Sequence, residues 1–289
     1  MALEYGGIAV VRPILRYHGG KWILAEWIIS CFPPHRVYVE PFGGAASVLL
    51  QKRRSYCEVY NDLDGEVVNL FRIARDRGNE LIEKLRLTPF ARDEYALSFE
   101  ICEEPLEQAR RTVVRSFMGF GSNSLNRSIR SGFRANFNRS GTTPAHDWAN
   151  LPGAYEAIIE RLRGTVIENR EASEVIRAHD GRETLIYADP PYVHQTRSTM
   201  MHGAHGYNHE MTNEQHLELA TVLNSVQGAV VLSGYESDLY RDLYPGWKMI
   251  QREAFADGAK ERTECLWFND AAASGLSQKV FEFPQEATA

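Results

Sequence analysis

The chain has 289 residues, 44% of them apolar and 24% charged, with a formal net charge of -6 at pH 7, which suits a globular catalytic domain carrying an insertion and excludes a disordered or fibrous chain. No run approaches the roughly 18 apolar residues of a membrane span, and Met1 to Val11 lacks the basic-then-apolar order of a secretory leader, so no membrane and a cytoplasmic address are expected. Cys31, Cys57, Cys102 and Cys265 form no C-x-x-C pair, which speaks against a zinc ribbon or a disulfide framework.

In chain order, an apolar helical stretch (Trp22 to Cys31) leads to a strand (Val37 to Glu40), a glycine turn (Pro41 to Ala45), a helix (Ala46 to Lys52) and a second strand (Tyr56 to Tyr60). Short apolar strands alternating with helices predict a parallel α/β sheet. Asp62 to Arg77 reads as an amphipathic helix, with Val67, Leu70, Phe71 and Ala74 spaced along one face. From Thr88 the character shifts to an acidic, partly helical stretch and then a basic Gly/Ser/Asn/Arg tract. The α/β pattern resumes with a helix (Ala154 to Leu162), a strand (Thr165 to Glu168), a helix (Glu171 to Ala178) and a strand (Thr184 to Ala188). Residues 193–213 read as a mobile loop, followed by a helix (Glu214 to Val226) and a strand (Ala229 to Ser233). Trp247 to Ala254 and Thr263 to Phe268 pair as antiparallel strands across Asp257-Gly258.

The negative net charge counts against a nucleic-acid partner, because phosphate binding is largely electrostatic. Its distribution reverses that reading: Arg110, Arg111, Arg115, Arg127, Arg130, Arg134 and Arg139 occur in a stretch with no Asp or Glu. A solvated polar loop is the plain account of such a run, but the interleaved Phe117, Phe120, Phe133 and Phe137 favour a binding surface.

Three features fall at the carboxyl ends of predicted strands, where open α/β sheets hold ligands. Glu40-Pro41-Phe42-Gly43-Gly44-Ala45 lets backbone approach a ligand closely. It lacks both G-x-G-x-x-G and G-K-[ST], so a cofactor without a pyrophosphate fits better. Asp62, 18 positions after Gly44, stands where such folds place an acid for ribose hydroxyls; the competing reading is a helix N-cap. Asp189-Pro190-Pro191-Tyr192 ends the strand at Ala188 and combines a carboxylate, carbonyls flanked by prolines that withhold amide donors, and an aromatic face. That set suits an aromatic amine whose lone pair is localised when its N–H groups are accepted by the Asp189 carboxylate and the Pro190 carbonyl, with Tyr192 stacking on the base.

Tyr17-His18-Gly19-Gly20-Lys21, Pro41-Phe42-Gly43-Gly44-Ala45, Asn61-Asp62 and Asp189-Pro190-Pro191-Tyr192, in this order, resemble the Dam-type adenine-specific DNA methyltransferases, especially the small enzymes of phages and prophages. Leu232-Ser233-Gly234-Tyr235 and Arg262-Thr263-Glu264-Cys265-Leu266-Trp267 look like later strand motifs of that family. The resemblance implies an α/β fold with a Rossmann-like, S-adenosylmethionine-dependent methyltransferase sheet and an inserted, mainly helical target-recognition lobe. Residues 1–87 and 154–289 would form the catalytic domain and 88–153 the insertion.

It further implies that Tyr17 and Lys21 line the cofactor pocket, that Phe42, Gly43 and Gly44 hold the methionine end, that Asp62 binds the ribose, and that Asp189 serves both cofactor and target amine. Tyr17 departs from the tryptophan that relatives often carry there. The expected partner is double-stranded DNA with the adenine flipped out, and Arg115, Asn123, Asn126, Arg127, Arg130, Arg134, Asn136 and Arg139 are the expected DNA contacts. No metal is expected, because the spacing of His202, His205 and His209 is unsupported by carboxylates or cysteines; these histidines read as a lid or a DNA contact. A monomer with no obligatory protein partner suffices. Cytosine N4, RNA bases and glutamine amides are alternative substrates on the same fold, and a DNA-binding regulator without catalysis is an alternative of another class; Asp189 and the arginines favour adenine in DNA.

Overall fold

A computed structural model describes residues 9–121, 125–127, 130–135, 141–192, 210–256 and 260–275. Its centre is a seven-stranded sheet of β1 (Val37–Glu40), β2 (Cys57–Asn61), β3 (Thr165–Glu168), β4 (Thr184–Ala188), β5 (Ala229–Gly234), β6 (Lys248–Ala256) and β7 (Lys260–Phe268), in the order β3-β2-β1-β4-β5-β7-β6. The first five positions are parallel, and β7 runs antiparallel between β5 and β6. This is the expected methyltransferase-type α/β fold. The turn at 257–258 lies outside the described residues.

All of β4 and β5 is buried, as expected of parallel strands covered on both faces. Alternation then sorts side chains into two apolar clusters. Leu185 and Tyr187 face the larger one, with α1 (Ala25–Ser30), α2 (Ser47–Gln51), α3 (Gly65–Asp76), α4 (Gly78–Leu87) and α8 (Leu151–Leu162). Ile186 and Ala188 face the smaller one, with α9 (Ala172–His179), α10 (Asn213–Leu223) and α11 (Asp238–Leu243). Strand order proceeds outward in opposite directions from β1 and β4, so a crevice opens at their carboxyl ends. The glycine turn leaves β1 there, and Asp189 leaves β4 there.

Several helix starts differ from expectation, and in two of them the difference lies in which residue caps the first turn. The helix predicted from Asp62 begins at Gly65, and its N-cap is Asp64, whose Oδ1 accepts from the Glu66 N–H at 2.9 Å. The helix predicted from Glu214 begins one residue earlier, where Thr212 and Gln215 form a reciprocal capping box.

The segment 88–153 contains α5 (Arg92–Leu97), α6 (Pro105–Met118) and α7 (Pro144–Ala149), and α6 shares the larger apolar cluster with α3 and the sheet. At about 1.5–3 kcal/mol for each large apolar side chain buried, Leu106, Val113, Val114, Phe117 and Met118 fasten α6 to the sheet side. The basic Gly/Ser/Asn composition is confined to the chain beyond Met118.

That packing corrects part of the expected DNA surface. Arg115 is 1% exposed; its guanidinium donates to the carbonyls of Leu125 (3.1 Å) and Ser98 (2.7 Å) and pairs with Glu66. Arg134 is also buried and donates to the Phe117 carbonyl at 3.1 Å, with Asp147 at 3.8 Å. Neither guanidinium is presented to a phosphate. A run without acids in sequence is thus supplied with acids by the fold: Glu66, Glu94, Glu107 and Asp147 all reach into it. Phe117 is core and Phe133 packs against it, whereas Phe120 is exposed.

Candidate active site

The glycine turn is shaped by what surrounds it. A Cβ on Gly43 would lie 2.1 Å from the Tyr60 ring, and one on Gly44, which has φ +48°, would lie 2.8 Å from the Tyr17 ring. Both positions therefore need glycine. The Gly43 N–H donates to the Asn61 carbonyl at 2.7 Å, and the Tyr60 hydroxyl donates to the Gly44 carbonyl at 2.7 Å. Asp62 is tied to the same turn: its Oδ2 accepts from the Gly44 N–H and its Oδ1 from the Asp64 N–H, both at 2.8 Å. With Asp64 as the cap of α3, Asp62 is an oriented carboxylate at the crevice, not a helix cap. Asn61 bridges β2 to the next crossover, donating to the carbonyls of Pro41 (2.9 Å) and Arg170 (3.0 Å).

Opposite the turn, Asp189 ends β4. Burial lifts its carboxyl to about 6, with Lys21 pulling it down and Glu264 pushing it up. Lys21 Nζ lies 3.2 Å from Asp189 Oδ1 and 3.5 Å from Glu264 Oε1, and it donates to the Tyr192 hydroxyl and to the Gly19 carbonyl at 3.3 Å. The Tyr192 hydroxyl in turn donates to Glu264, which also accepts from Ser233 Oγ at 3.0 Å. The Tyr192 ring packs edge-on against Tyr235, with centroids 4.5 Å apart. Glu40, at the end of β1, is buried where it borders the cavity. Burial raises its carboxyl to about 8 despite hydrogen bonds from the Tyr38 hydroxyl (2.7 Å) and the Leu49 N–H (3.0 Å).

Tyr17, Lys21, Phe42, Gly43, Gly44, Asp62, Asp189 and Pro191 line one cavity of about 310 Å³. Every residue expected at the cofactor is in that wall. Pro190 and Tyr192, on either side of Pro191, are buried and do not themselves line it. Part of the remaining wall has no counterpart in the sequence motifs: Glu171, Ala172 and Ser173 at the start of α9, and Glu210, Met211, Gln215, Glu218 and Leu219 at α10. Nothing in a helical repeat distinguishes a face that borders a cavity from one that borders solvent. Glu264 had a detectable signal, a carboxylate set among apolar residues in a strand, but no motif rule gave it a partner.

The expected DNA contacts are scattered by comparison. Arg127 pairs with Glu66 and donates to the Phe99 carbonyl at 2.8 Å, Asn126 is buried, and Arg130 is exposed with its guanidinium 5.3 Å from the Phe99 ring centroid. Asn123, Asn136 and Arg139, like His202, His205 and His209, lie outside the described residues. Among the described residues no cluster of His, Cys, Asp and Glu could hold a metal ion, and no helix is long and apolar enough to cross a membrane.

The family model for D12 class N6 adenine-specific DNA methyltransferases matches residues 17–257, from the aromatic wall of the cavity through the arginine segment and Asp189 to β6. The chain belongs to this family. Among its relatives, the chain is similar to the DNA adenine methylase of Salmonella typhi, 28% identical over 243 residues that make up 81% of this chain and 84% of the relative. The DNA adenine methylase of Haemophilus influenzae is 27% identical over 252 residues (82% and 84%), and that of Escherichia coli K12 is 26% identical over 265 residues (87% and 92%). As a D12 class enzyme the chain is an adenine-specific DNA methyltransferase, and its substrate is DNA.

Proposed function

We propose that the switch-point cavity is where S-adenosylmethionine and the target adenine meet, with Asp189 as the acceptor that activates the adenine amine. The observation that carries this reading is the convergence of the glycine turn, Asp62 and Asp189 on one cavity at the carboxyl ends of β1 and β4. A volume of about 310 Å³ falls at the lower end of small-molecule sites, and the wall offers what an adenosyl sulfonium needs. Tyr17 and Phe42 provide apolar surface and Asp62 an acceptor for ribose hydroxyls, while Gly43 and Gly44 bring backbone close. S-adenosylmethionine supplies, when bound, a methyl group already activated on a positively charged sulfur.

The chain's own work is orientation and hydrogen bonding. Asp189 accepts one amine N–H and the Pro190 carbonyl the other, which localises the nitrogen lone pair for attack. A carboxyl at about 6 is ionised at neutral pH and so is ready to accept. Tyr192, held through its hydroxyl by Lys21 and Glu264, gives the flipped base an aromatic wall. The segment 88–153 serves target recognition, with the exposed Arg130 available to a phosphate. Arg115 and Arg134 support that surface from beneath. One target base occupies one cavity, so a monomer suffices for the reaction.

The test is transfer of a labelled methyl group from S-adenosylmethionine to unmethylated DNA, followed by nucleoside analysis, with Asp189→Ala run beside the parent. Label in N6-methyladenosine that vanishes in the variant is the expected result. An active variant would remove Asp189 from the reaction.

A further inference from the structure

Glu264 lies in β7, seven residues beyond the end of the family match at 257, and it is 4% exposed. A carboxylate in such a place is costly unless paired and hydrogen-bonded, and an apolar residue would complete the strand at lower cost. One of its oxygens, Oε1, accepts from Ser233 Oγ at 3.0 Å and from the Tyr192 hydroxyl, and stands 3.5 Å from Lys21 Nζ. The same ammonium stands 3.2 Å from Asp189 Oδ1. Two carboxylates from different strands thus share one cation, and Tyr192 is the link, receiving from Lys21 and donating to Glu264.

We propose that Glu264 is a positioning residue for methyl transfer: it fixes the Tyr192 hydroxyl and takes a share of the Lys21 ammonium, so that Asp189 stays open to the target amine and does not close into a private ion pair. This rests on the reading of Asp189 as the amine acceptor. With Glu264 present, the ammonium is divided between two acceptors and each contact stays long. With its charge gone, Lys21 closes on Asp189. The aspartate then becomes a weaker acceptor for an incoming N–H, and Tyr192 loses the partner that sets its rotation. The groups facing Asp189 are Lys21, Glu264, Tyr192, Tyr187, Tyr240 and Glu40. Of these, Lys21 favours its charged form and Glu264 opposes it.

Glu264→Gln keeps the size and an acceptor oxygen while removing the charge. In methyl transfer from labelled S-adenosylmethionine to unmethylated plasmid DNA, the expected result is a kcat lowered about tenfold or more. KM for both substrates stays near the parent's, and the acid limb of kcat moves to lower pH. Glu264→Asp, which restores the charge, returns the limb toward its original position. A parent-like kcat, or a fallen kcat with an unmoved limb, overturns the proposal. Thermal unfolding reports whether Glu264→Gln folds; should it not, Ser233→Ala takes its place, loosening the same carboxylate, with an expected fall in kcat of about threefold, and a parent-like kcat there overturns the proposal equally. Asp189→Ala is assayed alongside: if it is active, the reading of the site itself fails, whereas a dead Asp189→Ala beside a parent-like Glu264→Gln sinks this proposal alone.

Discussion

The crevice at the ends of β1 and β4 and the arginine-rich stretch from Arg110 onward were both conspicuous in sequence, and they behave in opposite ways in three dimensions. In the crevice, Tyr17, Gly44 and Asp62 converge on one cavity with Asp189, which lies well over a hundred positions further along the chain. In the arginine stretch, neighbours in sequence diverge: Arg115 goes inward to Glu66, Arg110 is held by Glu94 and Glu107, and Arg130 faces solvent. The difference lies in what each signal reports. A glycine turn or a proline-flanked aspartate at a strand end is tied to a backbone geometry, and topology then delivers it to the same edge of the sheet. A charge count within a window says nothing about the acids that folding brings in from outside it.

Breaking the contrast calls for one variant on each side. Asp189→Ala is expected to lower kcat by about 10²–10⁴-fold, the range for removing a positioned polar group from a reacting centre, while the melting temperature stays within a few degrees; parallel kinetics and calorimetry check both. Arg115→Ala should do the reverse and act on stability first. It is expected to destabilise by about 2–4 kcal/mol, less than stripping an isolated buried pair because Arg127 still faces Glu66, as denaturant titration would show.

Asp62→Ala should raise the dissociation constant for S-adenosylmethionine about ten- to hundredfold, the worth of a hydrogen bond to a charged group, measured by calorimetry without DNA. Arg130→Ala is expected to weaken DNA binding severalfold and to reduce the slope of log affinity against log salt by about 1. If Arg115→Ala instead changed the salt slope while leaving stability intact, the division between buried and exposed arginines would be wrong.

The smallest effect concerns Glu40. Its carboxyl is raised to about 8 in the folded chain, so between its ordinary value and about 8 the folded state holds a proton that the unfolded state has released. Stability from this group is therefore lost as pH rises through that window. Glu40→Gln should flatten the decline, which melting temperatures taken from pH 5 to pH 9 would reveal.

Sheet strands were readable because β4 and β5 are continuous apolar runs, and β6 and β7 differ from expectation only in length. Asp62 could not be separated from a helix cap until the helix start was known, since Asp62 and Asp64 are both sound caps by type and only one position can serve. Lys21 is legible at the cavity, but its partner Glu264, and Ser233 that donates to Glu264, lie more than two hundred residues away on strands whose register no local rule supplies. The α10 wall was hidden for a related reason: which helix face meets a crevice is a property of the packing.

The most direct test of the central claim, that an ionised Asp189 in the switch-point cavity activates the adenine amine, is the single-turnover rate of methyl transfer against pH for the parent and Asp189→Asn. The account predicts a parent rate that climbs through an acid limb near pH 6 and a variant that is slow and flat across the same range. A variant with the parent's limb, or with the parent's rate, would contradict it.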